Sequence, residues 1–348
     1  MDINKFVLQL NSNKYKLNEP LSSHTQVKIG GPADIWYEAS STDDFINTIK
    51  LVKENNIPVT VIGWGSNILV GDKGIRGLVI KNMSKNIIIA GEVSESQSEI
   101  KEIASRWESN ITEGTFRGIE FKDLDYDESS EKKIEVTLDS GADLPFAINY
   151  TISKGATGLQ WYAKIPGTIG GAIFNNIHGG THFINEVVKS VRVLGQDLEI
   201  KTLSKNQIEA DYDKSKFHNS GEIIIDAVFE LYKGDSQKAA YVASEWAKRK
   251  VSQPANSTGS VFANISQEER EHLGYPTTST GYIIEHILKM TGFRVGDAAI
   301  CPTSHNFITN EGNATAKDYM AVIKEIQKRA KEQIGIDLIT EIFILGEF

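Results

Sequence analysis

The apolar positions along the chain follow two periods, one typical of strands and one typical of helices. Short runs rich in β-branched residues predict strands over 59–62, 78–80, 134–139 and 223–231. The segments 187–194 and 199–203 flank a polar turn that contains Gly195, and this arrangement predicts a β-hairpin.

Helical spacing separates these strands. Thr42 can cap a helix, two acids follow it, and Phe45, Ile49 and Val52 share one helical face. Further helices are predicted over 143–153, 241–249, 280–290 and 317–333. Strands and helices in this mixed order predict an α+β protein.

Two predicted strand regions contain residues that draw attention to function. The segment 24–39 reads as strand, glycine turn and strand, and 338–345 reads as a strand that holds one acid, Glu341, among apolar residues. A carboxyl group is rarely buried unless it is paired or protonated, so Glu341 is a candidate functional group.

The length of the chain indicates more than one domain. A chain of 348 residues exceeds what one core usually supports, and we predict boundaries at 1–80, 81–233 and 234–348. Between about 91 and 133 the chain has twelve acidic residues against six basic ones, a balance of −6. This segment is interpreted as an exposed acidic insertion, with a docking surface as the alternative.

Charge and cysteine content exclude several classes of protein. A net charge of −9 argues against nucleic acid or an anionic membrane as the main partner. The single cysteine, Cys301, cannot form an intrachain disulfide, and no Cys/His spacing indicates a metal site. No signal peptide and no apolar run of the roughly 18 residues of a membrane span is visible, so we expect a soluble, unprocessed, cytoplasmic protein.

Two glycine-rich stretches are the strongest candidates for a ligand site. One spans 164–176 and includes Gly167, Gly170 and Gly171; the other spans 63–67 and follows the strand predicted at 59–62. Glycine lets the backbone approach a ligand closely and direct N–H groups at an anion such as a diphosphate. A tightly packed turn without a ligand is the alternative, and neither stretch has the GxGxxG spacing of a Rossmann helix.

The order of several segments resembles the UDP-N-acetylenolpyruvoylglucosamine reductase (MurB) family, flavoenzymes of peptidoglycan precursor synthesis. The resemblance covers nearly the whole chain outside the acidic insertion, and it depends on the order of 25–34, 61–69, 158–176, 259–262 and Glu341. It implies a two-subdomain FAD-binding fold of the vanillyl-alcohol-oxidase (PCMH) type, followed by a C-terminal α+β substrate-binding domain.

The resemblance also implies a reaction and the residues that perform it. Hydride passes from NADPH to FAD and on to UDP-N-acetylglucosamine enolpyruvate, which gives UDP-N-acetylmuramate. Ser260 is the implied proton donor, Glu341 lies beside the substrate carboxylate, and Arg249 and Asn264 lie near the substrate. The residues implied along the FAD diphosphate are Gly63, Gly65, Ser66, Asn67, Gly167, Thr168, Gly171 and Asn175.

The sequence departs from the family pattern beside the implied substrate. Tyr212 is followed by Asp213 where the family has arginine, and an acid there would repel a carboxylate. Tyr212 and Asp213 remain candidate catalytic positions, and we expect Lys164 or Lys214 to restore the lost charge. The remaining departures are Gln160 for an acid, Ala263 for lysine and Ile265 for proline.

Other interpretations stay open at this point. His178 and His182 are candidates for a covalent flavin bond, with solvated loop histidines as the alternative. The chain as a whole can be a flavin oxidase or dehydrogenase acting on another sugar or hydroxy acid. It can also be a non-catalytic binding protein derived from the reductase.

Overall fold

The computed structural model describes residues 6–10, 13–91, 98–99, 101–103, 105, 126–251 and 253–348. Most of the predicted acidic insertion therefore lies outside the described residues. Helices and strands alternate along the described chain in mixed parallel and antiparallel sheets, which confirms the predicted α+β class.

The first sheet is built from the N-terminal part of the chain and has the order β1-β2-β5-β3. Strand β2 runs antiparallel to β1 and parallel to β5, and β3 is also parallel to β5. Helix α1 buries Phe45, Ile49 and Val52 as predicted, and Ser41 caps it by accepting a hydrogen bond from the Asp44 N–H. The bounds are β1 Tyr15–Pro20, β2 Pro32–Ala39, α1 Thr42–Glu54, β3 Val59–Ile62, β4 Ile68–Val70 and β5 Ile75–Asn82.

The second sheet has the order β12-β11-β13-β7-β6, and its pairs are antiparallel. Its central strand, β13, is apolar on alternate positions because one face packs on the helices, and Ala227, Phe229 and Leu231 are buried. The predicted hairpin is confirmed as β11 and β12. The bounds are β6 Ile87–Ile89, β7 Lys133–Asp139, α2 Leu144–Ser153, β8 Ala156–Thr157, α3 Ile169–Phe174, β9 His178–Gly179, β10 His182–Phe183, β11 Val188–Leu194, β12 Ile200–Ser204, α4 Phe217–Ser220 and β13 Ile223–Lys233.

The last part of the chain forms a third apolar core around helix α8 and a three-stranded sheet. Val322, Ile326 and Ala330 are buried on one face of α8, as their spacing predicts. The bounds are α5 Ser236–Arg249, α6 Gln267–Leu273, α7 Thr280–Tyr282, β14 Arg294–Val295, β15 Ala298–Ile300, β16 Ile308–Asn310, α8 Ala316–Ile334 and β17 Phe343–Leu345.

The third core is tied back to the first sheet region by main-chain and side-chain contacts. Strand β17 pairs in parallel with β4. The Asp72 carboxylate accepts hydrogen bonds from the Ala316 and Lys317 N–H groups at the start of α8, at 2.8 and 3.1 Å. The Asn310 amide donates to the Val27 carbonyl at 3.0 Å. The predicted site residues Asn67 and Glu341 lie close to this junction.

Two local predictions are wrong, and a third is confirmed in part. No strand forms over 24–31, because Lys28 and Gly30 have φ values of +59° and +149°, outside the extended region. The helix predicted over 280–290 is present as α7, which continues as a π-helix over Ile283–Ile287. Glu341 lies just before β17 rather than within a strand.

The described parts of the acidic segment are mostly exposed, at 98–99, 101–102, 105, 127 and 129–133, as the interpretation of an exposed insertion expects. Glu128 is the buried exception, with a relative exposure of 8%. It accepts hydrogen bonds from the Thr157 hydroxyl at 2.5 Å and from the Gln160 amide at 2.8 Å. The domain boundaries at 80 and 233 stay predictions.

No helix among residues 6–10, 13–91, 126–251 and 253–348 is long and apolar enough to cross a membrane. Within the same described residues, no group of three or more acidic, histidine or cysteine side chains is arranged to hold a metal ion.

Candidate functional site

The two glycine-rich stretches meet in the folded chain. The Ser66 hydroxyl donates a hydrogen bond to the Pro166 carbonyl at 3.0 Å. A Cβ added at Gly63 would lie 2.8 Å from the Thr168 hydroxyl oxygen, which is closer than real Cβ contacts allow. The backbones of residues 63–67 and 164–168 therefore pass directly against each other, as the dinucleotide interpretation requires.

Two glycines permit this approach by their conformation. Gly65 has a φ of +66°, and a Cβ there would lie 2.3 Å from the His24 carbonyl oxygen. Gly167 has a φ of +152°, a region that side chains rarely adopt, and a Cβ there would meet only Ser66 at 3.9 Å. Gly65 is thus required by crowding and backbone geometry, and Gly167 by backbone geometry alone.

Helix α3 begins at this junction. Thr168 caps it by accepting a hydrogen bond from the Gly171 N–H at 3.2 Å. Gly170 packs against the protein, since its Cβ would lie 2.8 Å from that of Ser140. Gly171 is exposed, and a Cβ there would meet only the Thr168 hydroxyl oxygen, at 3.5 Å. Asn175 is the C-terminal cap of α3.

Asn67 connects the glycine stretches with the predicted catalytic residues. Its amide donates to the Glu341 carbonyl at 3.3 Å, and its own carbonyl accepts from the Phe343 N–H at 3.0 Å. The Glu341 N–H in turn donates to the Val261 carbonyl at 2.9 Å. Ser260 precedes Val261, so the structure brings the neighbourhoods of Ser260 and Glu341 together.

The turn that presents Ser260 is held on both sides. Gly259 precedes it with a φ of +83°, a left-handed conformation that favours glycine. The Asn306 side chain pairs with the main chain of Phe262, accepting from its N–H at 3.0 Å and donating to its carbonyl at 2.8 Å. Sequence reasoning missed Asn306, because its partners lie 44 positions away.

The Glu341 carboxyl group faces Asp213. Burial, the negative charge of Asp213 and a hydrogen bond that the protonated Glu341 carboxyl group donates to Asp213 raise the pKa of Glu341 to about 8. Glu341 is therefore protonated at neutral pH. Burial, followed by the charges of Asp213 and Glu341, also raises the pKa of Tyr212, and the Asn264 side chain acts in the opposite direction. Four predicted residues thus form one polar cluster.

A histidine completes this cluster. His178 Nδ1 lies 3.0 Å from Asp213 Oδ1, and both side chains are partly buried, at 32% and 26% exposure. The imidazole ring lies 4.9 Å from the Tyr212 ring, centroid to centroid. The interpretation of His178 as a solvated loop residue missed this contact. The sequence contains a signal for this contact. His178 departs from the family pattern in the same chain in which Asp213 replaces an arginine, so the two departures can be paired.

The lysines expected to compensate for Asp213 do not pair with it. Lys164 and Lys214 are exposed, and within the described part of the chain neither forms an ion pair with Asp213. Arg249 is also exposed, with its guanidinium 4.9 Å from the Trp246 ring centroid. In the described residues Arg249 makes no hydrogen bond or ion pair with Ser260 or Glu341, so its substrate role stays a prediction.

Two other sequence departures have structural explanations. Gln160 accepts from the Gly158 N–H at 2.6 Å and donates to Glu128, so Glu128 supplies the carboxylate that position 160 lacks. His182 stacks on Trp161, with ring centroids 4.1 Å apart, and lies 3.2 Å from Glu186. It is a packed residue of the β9–β10 hairpin.

The comparisons with known proteins agree with this arrangement. Residues 251–345 match the family model of the UDP-N-acetylenolpyruvoylglucosamine reductase C-terminal domain. The reductase of that name from Clostridium botulinum (strain Alaska E43 / Type E3) is 33% identical over 356 residues, which cover 100% of both chains. The one from Caldanaerobacter subterraneus subsp. tengcongensis is 31% identical over 97% of this chain and 96% of the relative.

A solved structure extends the likeness to the fold. The crystal structure of UDP-N-acetylenolpyruvylglucosamine reductase (MurB) from Thermus caldophilus superposes with a TM-score of 0.68 at 22% identity, over 96% of this chain and 98% of that one. The fold and the relatives define an oxidoreductase. The chain belongs to the UDP-N-acetylenolpyruvoylglucosamine reductase family, as its segment order predicts.

Proposed function

We propose that this protein reduces UDP-N-acetylglucosamine enolpyruvate to UDP-N-acetylmuramate in the cytoplasm, with FAD as its bound cofactor and NADPH as the reductant. The observation that carries the proposal is the path from the joined glycine stretches through Asn67 to Glu341 and the Ser260 turn. A cofactor held by the glycine stretches would lie beside Glu341 and the Ser260 turn. The product is a precursor of peptidoglycan.

The residues present fit a dinucleotide. A Cβ at Gly167 or Gly171 would meet only one side-chain oxygen, at 3.9 or 3.5 Å, which leaves room for a ligand against the backbone. Hydroxyl and N–H groups of residues 63–67 and 167–171 offer neutral donors to a diphosphate, which suits a protein with a net charge of −9. When bound, FAD would accept a hydride from NADPH and deliver it to the enolpyruvyl double bond.

The chain's own residues then supply a proton and accommodate charge. Reduction of the double bond needs a proton at the carbon beside the carboxylate, and we assign this proton to the Ser260 hydroxyl. Glu341, protonated at neutral pH, offers a hydrogen bond to the substrate carboxylate without adding a negative charge. Tyr212 and Asn264 face the same region and would orient the substrate.

An anaerobic titration tests the proposal. NADPH should bleach the flavin absorbance of the purified holoprotein, and UDP-N-acetylglucosamine enolpyruvate should restore it with formation of UDP-N-acetylmuramate, detected by mass spectrometry. UDP-N-acetylglucosamine, which lacks the enolpyruvyl group, should leave the flavin reduced. Recovery in air alone at a catalytic rate would identify an oxidase instead, and a colourless protein would identify a flavin-free binding protein.

A further inference from the structure

Asp213 places a carboxyl group beside the proposed position of the substrate carboxylate. Asp213 and Glu341 present two carboxyl groups where the proposed substrate carries a third. Neighbouring carboxylates repel one another unless a proton or a cation intervenes. The proton on Glu341 removes one of these charges, and the Asp213 carboxylate still needs a partner when the anionic ether binds.

We propose that His178 is this partner, a positioning residue that acts through Asp213 and allows the Asp213–Glu341 pair to receive the substrate carboxylate. The inference rests on the proposed function and deepens it. The contact that carries it is the 3.0 Å approach of His178 Nδ1 to Asp213 Oδ1.

The geometry fixes both partners. Asp213 occupies a tight turn closed by two main-chain hydrogen bonds between Asp211 and Lys214, at 3.0 and 3.1 Å. Its φ of +49° is a conformation that aspartate tolerates. The imidazole of His178 packs against the rings of Tyr212 and Phe183, with centroids 4.9 and 5.5 Å away. These contacts direct Nδ1 at the Asp213 carboxylate.

His178 is the side chain that pairs with the Asp213 carboxylate among the described residues, through the 3.0 Å contact at Nδ1. Without the imidazole, Asp213 would present an uncompensated carboxylate that repels an incoming one. His178 Nε2 makes no hydrogen bond within the described part of the chain, so this side of the ring is free to face a ligand.

The other titratable groups around the cluster do not replace His178. Burial keeps the pKa of Tyr212 above its ordinary value, so its hydroxyl stays neutral. His218 packs against the rings of Phe174 and Phe343. Burial lowers its pKa and Lys214 lowers it further, while a hydrogen bond with the Phe174 main chain and the charge of Asp213 act in the opposite direction. It is therefore neutral at physiological pH, and Lys214 is exposed.

The test measures binding of UDP-N-acetylmuramate and UDP-N-acetylglucosamine to the oxidised holoprotein by calorimetry. Only the first ligand has the carboxylate. His178→Ala should weaken binding of UDP-N-acetylmuramate on the order of tenfold, the low end for a charged hydrogen bond because the pair is partly exposed. Binding of UDP-N-acetylglucosamine and the flavin content should not change.

Three further variants separate charge from structure. His178→Gln keeps a donor but loses the charge and should behave like His178→Ala, whereas His178→Arg should retain binding. Adding Asp213→Asn to His178→Ala should recover most of the loss, since the uncompensated charge is then gone. His182→Ala, in the same hairpin, is the matched control and should have no effect.

The outcomes for the inference and for the proposed function are distinct. Equal weakening of both ligands by His178→Ala would identify a merely structural role, and unchanged binding of UDP-N-acetylmuramate would overturn the inference directly. Failure of the unaltered protein to bind either UDP-sugar would overturn the proposed function itself. In steady-state assays His178→Ala should raise the KM for the enolpyruvyl substrate more than it lowers kcat.

Discussion

The surroundings of the Glu341 carboxyl group favour its protonated form. Its pKa rises from 4.5 to about 8 because it is buried beside another acid. Aspartate and glutamate side chains usually stay ionised in folded proteins, so this group departs from the ordinary behaviour of its type. The protonated carboxyl group is a hydrogen-bond donor rather than an anion, which is the property that its proposed role beside the substrate requires.

The raised pKa makes a prediction about stability. A group that binds its proton more tightly in the folded state stabilises the protein below its unfolded pKa, and this contribution is lost as the pH rises through about 8. Glu341→Gln cannot ionise, so the variant should gain in melting temperature relative to the unaltered protein between pH 5 and pH 9. The measurement is thermal unfolding of the apoprotein at both pH values.

The exposed Glu332 provides a control for this experiment. Glu332→Gln should show no such dependence on pH. A difference between Glu341→Gln and the unaltered protein that is constant across the range would contradict the assignment of a protonated Glu341.

Ser260 makes a kinetic prediction. Ser260→Ala removes the proposed proton donor, and a positioned donor typically contributes at least about 100-fold in rate. The half-reaction with NADPH should proceed normally, while reoxidation of the flavin by the enolpyruvyl substrate should slow by about that factor. Stopped-flow absorbance separates the two steps. Equal slowing of both steps would speak against this role, and Ser260→Cys should retain part of the rate.

At the scale of elements, helix α3 uses two adjacent glycines for different purposes. Gly170 allows close packing on Ser140, whereas the side of Gly171 is open. Gly170→Ala should destabilise the apoprotein by about 1–3 kcal/mol through overpacking. Gly171→Ala should leave the melting temperature of the apoprotein nearly unchanged and weaken FAD retention, because the added methyl group enters the ligand space.

Flavin absorbance after gel filtration, together with thermal unfolding of the apoprotein, checks both variants. If Gly171→Ala retains FAD as the unaltered protein does, Gly171 does not approach the cofactor. If Gly170→Ala leaves stability unchanged, the packing of α3 on Ser140 is looser than the structure indicates.

Elements with a strong period were predictable from the sequence, and elements shaped by their neighbours were not. The apolar faces of α1 and α8 and the β11–β12 hairpin follow from local patterns. The π-helix at Ile283–Ile287 has no such local signal. The paired glycine stretches were recognisable individually, but the hydrogen bond between Ser66 and Pro166 joins residues 100 positions apart. The partner of Asp213 was missed for the same reason.

At the scale of the whole molecule, Asp72 joins two separate cores. It supplies acceptors to the first N–H groups of α8 from a loop 244 positions earlier in the chain. Asp72→Ala should lower the free energy of unfolding by about 1–2 kcal/mol, since two hydrogen-bond acceptors and a favourable charge at the helix start are lost together. Asp72→Asn, which keeps an acceptor, should lose less. Denaturant unfolding measures both, and equal losses would argue that the charge dominates.

The pairing of β17 with β4 affects the order in which the molecule is assembled. Asn67 is held by Glu341 and Phe343, and the first of these contacts spans 274 positions. During synthesis on the ribosome, the early loop around Asn67 emerges long before the segment that fixes it. The loop at residues 63–67 therefore cannot reach its final conformation until residues 341–345 have been synthesised. Binding of the proposed cofactor should follow translation of that segment rather than accompany the folding of the first sheet.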